Sequence, residues 1–190
     1  MSGGGSSAGK MTAQSREGVF YESRDCAGIV RRLFILAVDF TVVVALVWLL
    51  FVAAVFSETL ARFFVPVCGG VCYGYLAGLK ATRLGTLGYR LAGVRLVDLQ
   101  GRQAALWRST FRLGFLVFGP LNLLFDILWL GGDPNRQSVR DKFAGTYVVR
   151  RRATPAGRGR IDYKTYYMMS YNLVFPEVVR ECDGLLSFHL

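Results

Sequence analysis

Long apolar runs alternate with basic polar stretches along this chain. The first run, Leu33 to Phe56, contains no polar side chain except Asp39 and Thr41. It exceeds the roughly 20 residues that an α-helix needs to cross a hydrocarbon core of about 30 Å. A second run, Phe63 to Leu79, follows the polar turn Ser57 to Arg62. The pattern therefore predicts two membrane-spanning helices joined as an antiparallel hairpin.

The second run carries small residues at helical spacing. Gly70, Gly74 and Gly78 recur every fourth residue, which places them on one helix face where another helix can approach closely. This spacing predicts a packing face, and a glycine-lined conduit is the less favoured alternative. Cys68 and Cys72 also share a face, and without a nearby histidine they fit small packing residues better than a metal or redox pair. No metal site and no cofactor are predicted.

A third apolar run, Leu113 to Gly132, is interrupted by Gly119-Pro120 and by Asp126. Because proline breaks the helical ladder, the segment is predicted to be re-entrant, split or steeply tilted, and the alternative is a simple third crossing. The positive-inside rule places the N-terminus and the basic loops in the cytoplasm. A simple crossing would leave the most basic stretch, Arg136 to Arg152, on the other side, which favours the returning segment.

Two short stretches outside the apolar runs have the composition of β-strands. Gly93 to Asp98 is followed by a turn at Gln100-Gly101, and Thr146 to Arg150 lies beyond the third run. Each alone would be an unprotected edge, so the two are predicted to pair as a small cytoplasmic β element at the membrane face. The fold class is thus an integral membrane α-helical protein with two to three transmembrane helices and a small β element.

Both ends of the chain differ from its middle. Residues 1–23, which begin with the Gly/Ser-rich Met1 to Lys10, are predicted to be a disordered leader, and residues 24–152 form the membrane domain. Residues 153–190 are predicted to be a flexible basic linker, Thr154 to Arg160, and an aromatic tail. The tail's large side chains recur at a spacing interpreted as helical, and the helix would lie either in the membrane interface or on the protein's own cytoplasmic face. They are Tyr163, Tyr166, Tyr167, Tyr171, Val174 and Phe175.

Composition supports a membrane protein and argues against several functions. Hydrophobic residues make up 53% of the 190 residues, and the formal net charge is +10. The basic charge is explained by attraction to anionic lipids, and no aromatic strand platform or recognition helix indicates nucleic-acid binding. The one histidine, His189, is penultimate, and the chain contains neither a Walker loop nor a G-x-S-x-G motif, so no enzyme is predicted.

Four charged residues form the candidate polar membrane site: Arg32, Asp39, Asp126 and Asp141. Arg32 and Asp39 are two helical turns apart, so they share a face with a rise of about 10 Å between them. A carboxylate facing lipid costs at least about 2.5 to 3.5 kcal/mol, so Asp39 and Asp126 are expected to face the bundle and meet an arginine or a hydroxyl. Two inward carboxylates would form either a fixed ion-pair lattice or a titratable site that exchanges a proton for a cation.

Three blocks of the sequence, taken in order, resemble the RDD family of small polytopic membrane proteins. They are Arg32 with Asp39, then GTLGYRLAGVRLVD at 85–98, then RQSVRDKFAGTYVV at 136–149. The family is named for one arginine and two aspartates, which by motif fall on Arg32, Asp39 and Asp141. The resemblance covers roughly residues 24–152, and the third block is closer to the bacterial form. Leu87 stands where the family's G-T-P-G-K motif commonly has proline, and Tyr89 replaces its lysine.

The resemblance implies a multi-pass protein of the cell (inner) membrane, and it offers two functions. A small cation/proton transporter or transport-associated subunit is the first, because sodium–proton antiport has been proposed for some members, and monovalent cations and protons would then be its ligands. The alternative is a non-catalytic structural or assembly subunit of a larger membrane complex. The expected partners are membrane lipids and either a second copy of the chain or another membrane protein.

Overall fold

The computed structural model describes residues 17–117, 126, 128–133, 136–168 and 171–179. Helix α1 (Ile29–Val55) is followed by the short α2 (Glu58–Arg62), which Ser57 caps by accepting a hydrogen bond from the Leu60 backbone N–H at 3.3 Å. Helix α3 (Phe64–Ala81) returns and includes a π-helical turn at Gly74–Gly78. The two long helices confirm the predicted hairpin of apolar helices.

The apolar surface of this hairpin is largely uncovered. Only 11% of the most apolar window of α1 and 6% of that of α3 is buried within the protein. Trp48 is 65% exposed and Val65 is 78% exposed. Contiguous apolar surface on this scale is unfavourable in water, whereas hydrocarbon solvates it, so both helices have the length and the surface of membrane spans.

The described residues outside the hairpin include three further helices. They are α4 (Leu87–Leu91), α5 (Leu106–Val117) and α6 (Val139–Ala144). Helix α6 begins with a capping box between Ser138 and Asp141, and it ends at Gly145, whose φ of 59° favours glycine. The sequence therefore determines where α6 begins and where it ends.

Two antiparallel sheets complete the fold. Strands β2 (Val94–Asp98) and β3 (Thr146–Arg150) pair with Val94 opposite Arg150, which confirms the predicted pairing of these segments. The second sheet was not predicted. It contains β1 (Glu17–Phe20), β4 (Gly157–Met168) and β5 (Tyr171–Val179) in the order β1-β4-β5.

Both faces of the β2–β3 ribbon carry buried side chains. On one face Val97, Tyr147 and Val149 pack with Tyr21 and Val178 of the second sheet. On the other face Leu96 and Val148 pack with Ile35 of α1 and Tyr89 of α4, together with Val94. The ribbon thus joins the second sheet to the N-terminal half of the first membrane helix.

The second sheet corrects three predictions about the chain ends. The aromatic tail was expected to be helical, but it forms β4 and β5, and along β5 exposed Val174 and half-buried Pro176 alternate with buried Phe175 and Glu177. The flexible-linker prediction is wrong for Gly157 to Arg160, which pair with β1, and the disordered-leader prediction is wrong for residues 17–20. Tyrosine, threonine and valine favour strands, and the pairing of β1 with β4 gives the backbone groups of both chain ends hydrogen-bond partners.

Other predictions fall partly outside the described residues. Residues 118–125 and 127 of the third apolar run are not described, so whether Leu113 to Gly132 spans or re-enters stays a prediction, as does the disorder of residues 1–16. A Cβ atom built on Gly70, Gly74 or Gly78 would meet nothing within 4 Å in the described part of the chain. The predicted glycine packing face is therefore open within this chain, and its use stays a prediction.

Candidate functional site

Asp39 lies at the centre of a hydrogen-bond cluster between α1, α3 and α4. Its side chain is 3% exposed, and its Oδ1 accepts from the Gly88 backbone N–H at 2.9 Å and from the Tyr75 hydroxyl at 3.1 Å. Its Oδ2 accepts from the Thr86 hydroxyl at 2.9 Å, and the Lys80 ammonium lies 3.5 Å away. Four donors, two from α3 and two from the start of α4, therefore hold one carboxylate of α1 inside the protein.

The segment Gly85 to Gly88 explains how α4 reaches Asp39. Gly85 has a φ of 68°, which lets the chain turn into the N-terminus of α4. Thr86 is the N-cap residue, but its hydroxyl donates to Asp39 instead of capping its own helix. Asp39 takes over the capping by accepting from Gly88, so a carboxylate of the membrane helix satisfies the start of the neighbouring helix.

Asp141 forms a second cluster, which joins α1, α5 and α6. It is fully buried, and its Oδ2 accepts from Arg32 Nη1 at 2.5 Å while its Oδ1 pairs with Arg112 Nη1. Arg32 also donates to the carbonyl oxygens of Ala27 at 3.0 Å and Arg136 at 2.9 Å. The two guanidinium groups neutralise one carboxylate and attach the first turn of the membrane helix to the third sequence block.

The two clusters are connected through Tyr89. Arg112 Nη2 donates to the Tyr89 hydroxyl at 3.4 Å, and the Lys80 ammonium lies 5.3 Å from the centre of the Tyr89 ring. Tyr89 occupies the position of the lysine in the family motif named above. Lys80, which comes from α3, therefore supplies the positive charge beside Asp39 in this chain.

Asp126 and Lys142 make further ion pairs at the edge of the Asp141 cluster. Asp126 Oδ2 lies 2.7 Å from Arg140 Nε, and Asp126 Oδ1 accepts from the Arg140 backbone N–H at 3.2 Å. Lys142 lies 2.7 Å from Asp133 and 3.5 Å from Glu177 of β5. Burial alone would lower the pKa of Lys142, but the hydrogen bond to Asp133 and the charge of Glu177 raise it above its ordinary value. The aromatic tail is thereby joined to α6.

The four predicted site residues do not converge on one point. Arg32 and Asp141 are directly paired, Asp39 is the centre of the other cluster, and Asp126 pairs with Arg140. Arg32 and Asp39 both line a cavity of about 130 Å³ between α1, α3 and α5, as their spacing predicts. The sequence-based prediction did not include several residues that contact these groups. Two of them, Thr86 and Gly88, lie in the GTLGY segment at 85–89, which resembles the family motif. The missed residues are Tyr75, Lys80, Thr86, Gly88, Arg112 and Arg140.

The pKa of Asp141 makes the stability of the protein depend on pH. Burial alone would raise this pKa, but Arg112 and Arg32 lower it from the ordinary value of 3.8 to about 2. A carboxylate with a lowered pKa stabilises the fold above its unfolded pKa, and this contribution disappears as the pH falls through the folded pKa. We expect the free energy of unfolding to fall between about pH 4 and about pH 2.

Denaturant unfolding in detergent across this pH range measures the effect. Because Asp141→Asn lacks the titrating group, the difference in unfolding free energy between wild type and this variant should shrink as the pH falls. Other carboxylates contribute equally to both proteins and cancel. A difference that stays constant from pH 5 to pH 2 would contradict the assignment of the titration to Asp141.

Comparison with known proteins decides the family. The model of the RDD family matches residues 26–145, which contain both clusters. The chain belongs to the RDD family. Comparison with curated proteins and with solved structures found no match. RDD proteins are membrane-associated, and with two exposed apolar helices of sufficient length this identifies the chain as a membrane protein.

The arginine and two aspartates of the RDD pattern have distinct structural positions in this chain. Asp39 holds α4 against α1, whereas Arg32 and Asp141 attach the start of α1 to α6. The RDD residues therefore form two joints on one membrane helix, about two turns apart. Ile35, which lies between the two joints on α1, packs on the β2–β3 ribbon.

Proposed function

We propose that this RDD protein is a non-catalytic structural or assembly subunit of a larger membrane complex. The observation that carries the proposal is the complete pairing of the RDD carboxylates. Asp39 has four donors, and Asp141 has two guanidinium partners and the Ser138 backbone N–H. Such joints make a rigid base from which the membrane hairpin projects.

The fixed pairing of the two RDD carboxylates argues for a structural role. A carboxylate that exchanges a proton for a cation must be able to leave its present partners and take up a second arrangement. A site that binds a cation and a proton in turn must offer its carboxylate to each, and a conformational change must supply the difference between the two states. Asp141 would have to leave two arginines buried without their counter-charge, which is strongly unfavourable. The same groups serve well as fixed attachments.

The uncovered hairpin supports a partner within the membrane. Its outer surface includes exposed Phe40, Trp48 and Val65, and the glycine face of α3 leaves room for a close helix. We propose a second copy of the chain or another membrane protein as the partner, in the inner membrane, with the β sheets and the basic loops in the cytoplasm. The distribution of arginine supports this orientation.

Cation/proton transport remains the second candidate, because Asp39 and Lys80 line the cavity of about 130 Å³ beside the membrane helices. Reconstitution distinguishes the two functions. Wild type and Asp39→Asn are placed in proteoliposomes, and proton movement is recorded after a sodium or potassium gradient is imposed. The proposal of a structural or assembly subunit, which we call the scaffold proposal, expects no cation-dependent proton movement with either protein.

Folding and self-association are measured on the same preparations. Melting in detergent must show that both proteins are folded, and single-molecule photobleaching in the vesicles counts chains per particle. Replacement of Gly74 by leucine is expected to lower the number of chains per particle if a second copy packs on the glycine face. Cation-driven proton movement that is present in wild type and lost in Asp39→Asn would overturn the scaffold proposal in favour of transport.

A further inference from the structure

An open groove of about 830 Å³ lies where α1 enters the membrane. It is separate from both RDD clusters, and none of the predicted site residues lines it. Four arginines from separate segments contribute to its lining, and among the described residues no carboxylate does. They are Arg24 before α1, Arg31 in its first turn, Arg136 before α6 and Arg150 at the end of β3.

Three of these four arginines differ from the arginines of the RDD clusters because they have no counter-charge in the described part of the chain. Arg32, Arg112 and Arg140 each pair with a carboxylate, as described above. Arg31, Arg136 and Arg150 have no carboxylate within 4 Å in the described part of the chain, and only Arg24 has one, Glu22 at 2.5 Å. Because positive charge is concentrated in this groove, an anion that does not belong to the described residues would bind there favourably.

Guanidinium groups select the chemistry of that anion. Their planar arrangement of donors matches the oxygens of phosphate and binds them in pairs. The start of α1 adds to the positive potential, because its N-cap makes no side-chain hydrogen bond and no acidic residue lies in its first turn. A phosphate group suits this groove better than a single carboxylate, because it has more oxygens that can accept hydrogen bonds from more than one of these arginines.

The apolar part of the groove indicates that the phosphate carries acyl chains. Val30 is 83% exposed and Leu91 is 61% exposed, and Phe34 lies one turn further along α1 on the groove. Val30 and Phe34 lie in the first two turns of the membrane span, and Leu91 of α4 lies beside them in the groove. Acyl chains can contact these side chains, while the long arginine side chains extend to the level of the headgroups. We infer that this groove is a specific binding site for the phosphate headgroup of an anionic phospholipid.

A groove of this kind differs from general attraction between a basic protein and an anionic membrane. General attraction depends on the number of charges near the surface, whichever arginines supply them. A specific site depends on the particular arginines that surround the headgroup. The inference requires that the protein lies in a membrane, but it does not require the scaffold proposal.

Native mass spectrometry of the full chain in detergent tests the site, with phosphatidylglycerol and phosphatidylcholine as probes. Wild type is compared with Arg31→Gln/Arg136→Gln, and the control is Arg90→Gln/Arg102→Gln, which removes the same charge at exposed positions outside the groove. We expect phosphatidylglycerol to bind wild type and the control at least tenfold more tightly than phosphatidylcholine. The groove variant should lose at least tenfold in phosphatidylglycerol affinity with an unchanged melting temperature.

Soluble probes distinguish a lipid from a free phosphate. Inorganic phosphate and glycerol 3-phosphate are added as competitors, and each is expected to displace the lipid only at concentrations at least a hundredfold above that of the lipid. Equal loss of lipid affinity in the groove variant and the control would overturn the site in favour of general attraction. Competition by inorganic phosphate at the concentration of the lipid would overturn the assignment to a lipid.

Discussion

Asp141→Asn is expected to lower the free energy of unfolding by about 3–5 kcal/mol, because it removes the counter-charge of two arginines at once. Arg112 is buried, and the Arg32 side chain is only 11% exposed, so neither can recover full hydration in the folded protein. An amide accepts a hydrogen bond through one oxygen and directs its NH₂ group toward the other guanidinium. The variant would also lose the charge at the N-terminus of α6.

The measurement is the melting temperature in mild detergent, where this loss corresponds to a fall of at least about 6 °C for a chain of this size. Asp162→Asn is the matched control, because Asp162 is an exposed carboxylate on β4 without an ion pair among the described residues. The control should melt within about 1–2 °C of wild type. Equal melting of Asp141→Asn and wild type would show that the Arg32–Asp141–Arg112 cluster does not hold the fold together.

The sequence predicted the membrane part of the fold better than the remainder. Two long apolar runs separated by a polar turn have few alternatives to a helical hairpin, and the β2–β3 pairing follows from two strand-like segments that each need a partner. The tail misled the prediction because Tyr163, Tyr166 and Tyr167 fit both a helical period and a strand rich in aromatics. These tyrosines pair with the neighbouring β5, and the third strand of the sheet, β1, lies about 140 residues earlier in the chain and pairs with Gly157 to Arg160.

The charges of the site were predictable individually, whereas their partners were not. The energetic cost of lipid exposure requires Asp39 to face inward, but its donors Thr86 and Gly88 lie 47 and 49 residues away, which no local periodicity reveals. Arg112 directly precedes the third apolar run, Leu113 to Gly132, so its position in the sequence indicates only a charge that flanks this run. Its pairing with Asp141, 29 residues later, depends on the packing of α5 against α6.

Gly88→Ala is expected to lower the free energy of unfolding by about 3 kcal/mol, because the added methyl group would separate α4 from α1. A Cβ atom at this position would lie 2.7 Å from the Ile35 carbonyl oxygen and 2.7 Å from Asp39 Oδ1. The first of these is backbone inside a membrane helix and cannot move aside. The shift of α4 would lengthen the hydrogen bond from Gly88 to Asp39, leaving a buried carboxylate with fewer donors.

Gly114→Ala provides the matched control, since an added Cβ atom in α5 would meet nothing within 4 Å among the described residues and alanine favours a helix. Melting of this control should be unchanged or slightly higher. A double-mutant cycle with Asp39→Ala then tests the cause. If Gly88→Ala acts by breaking the joint at Asp39, the two losses in free energy will not add, because the second substitution finds the joint already broken. Additive losses would mean that α4 and Asp39 stabilise the protein independently, and that the carboxylate does not hold α4 on the membrane helix.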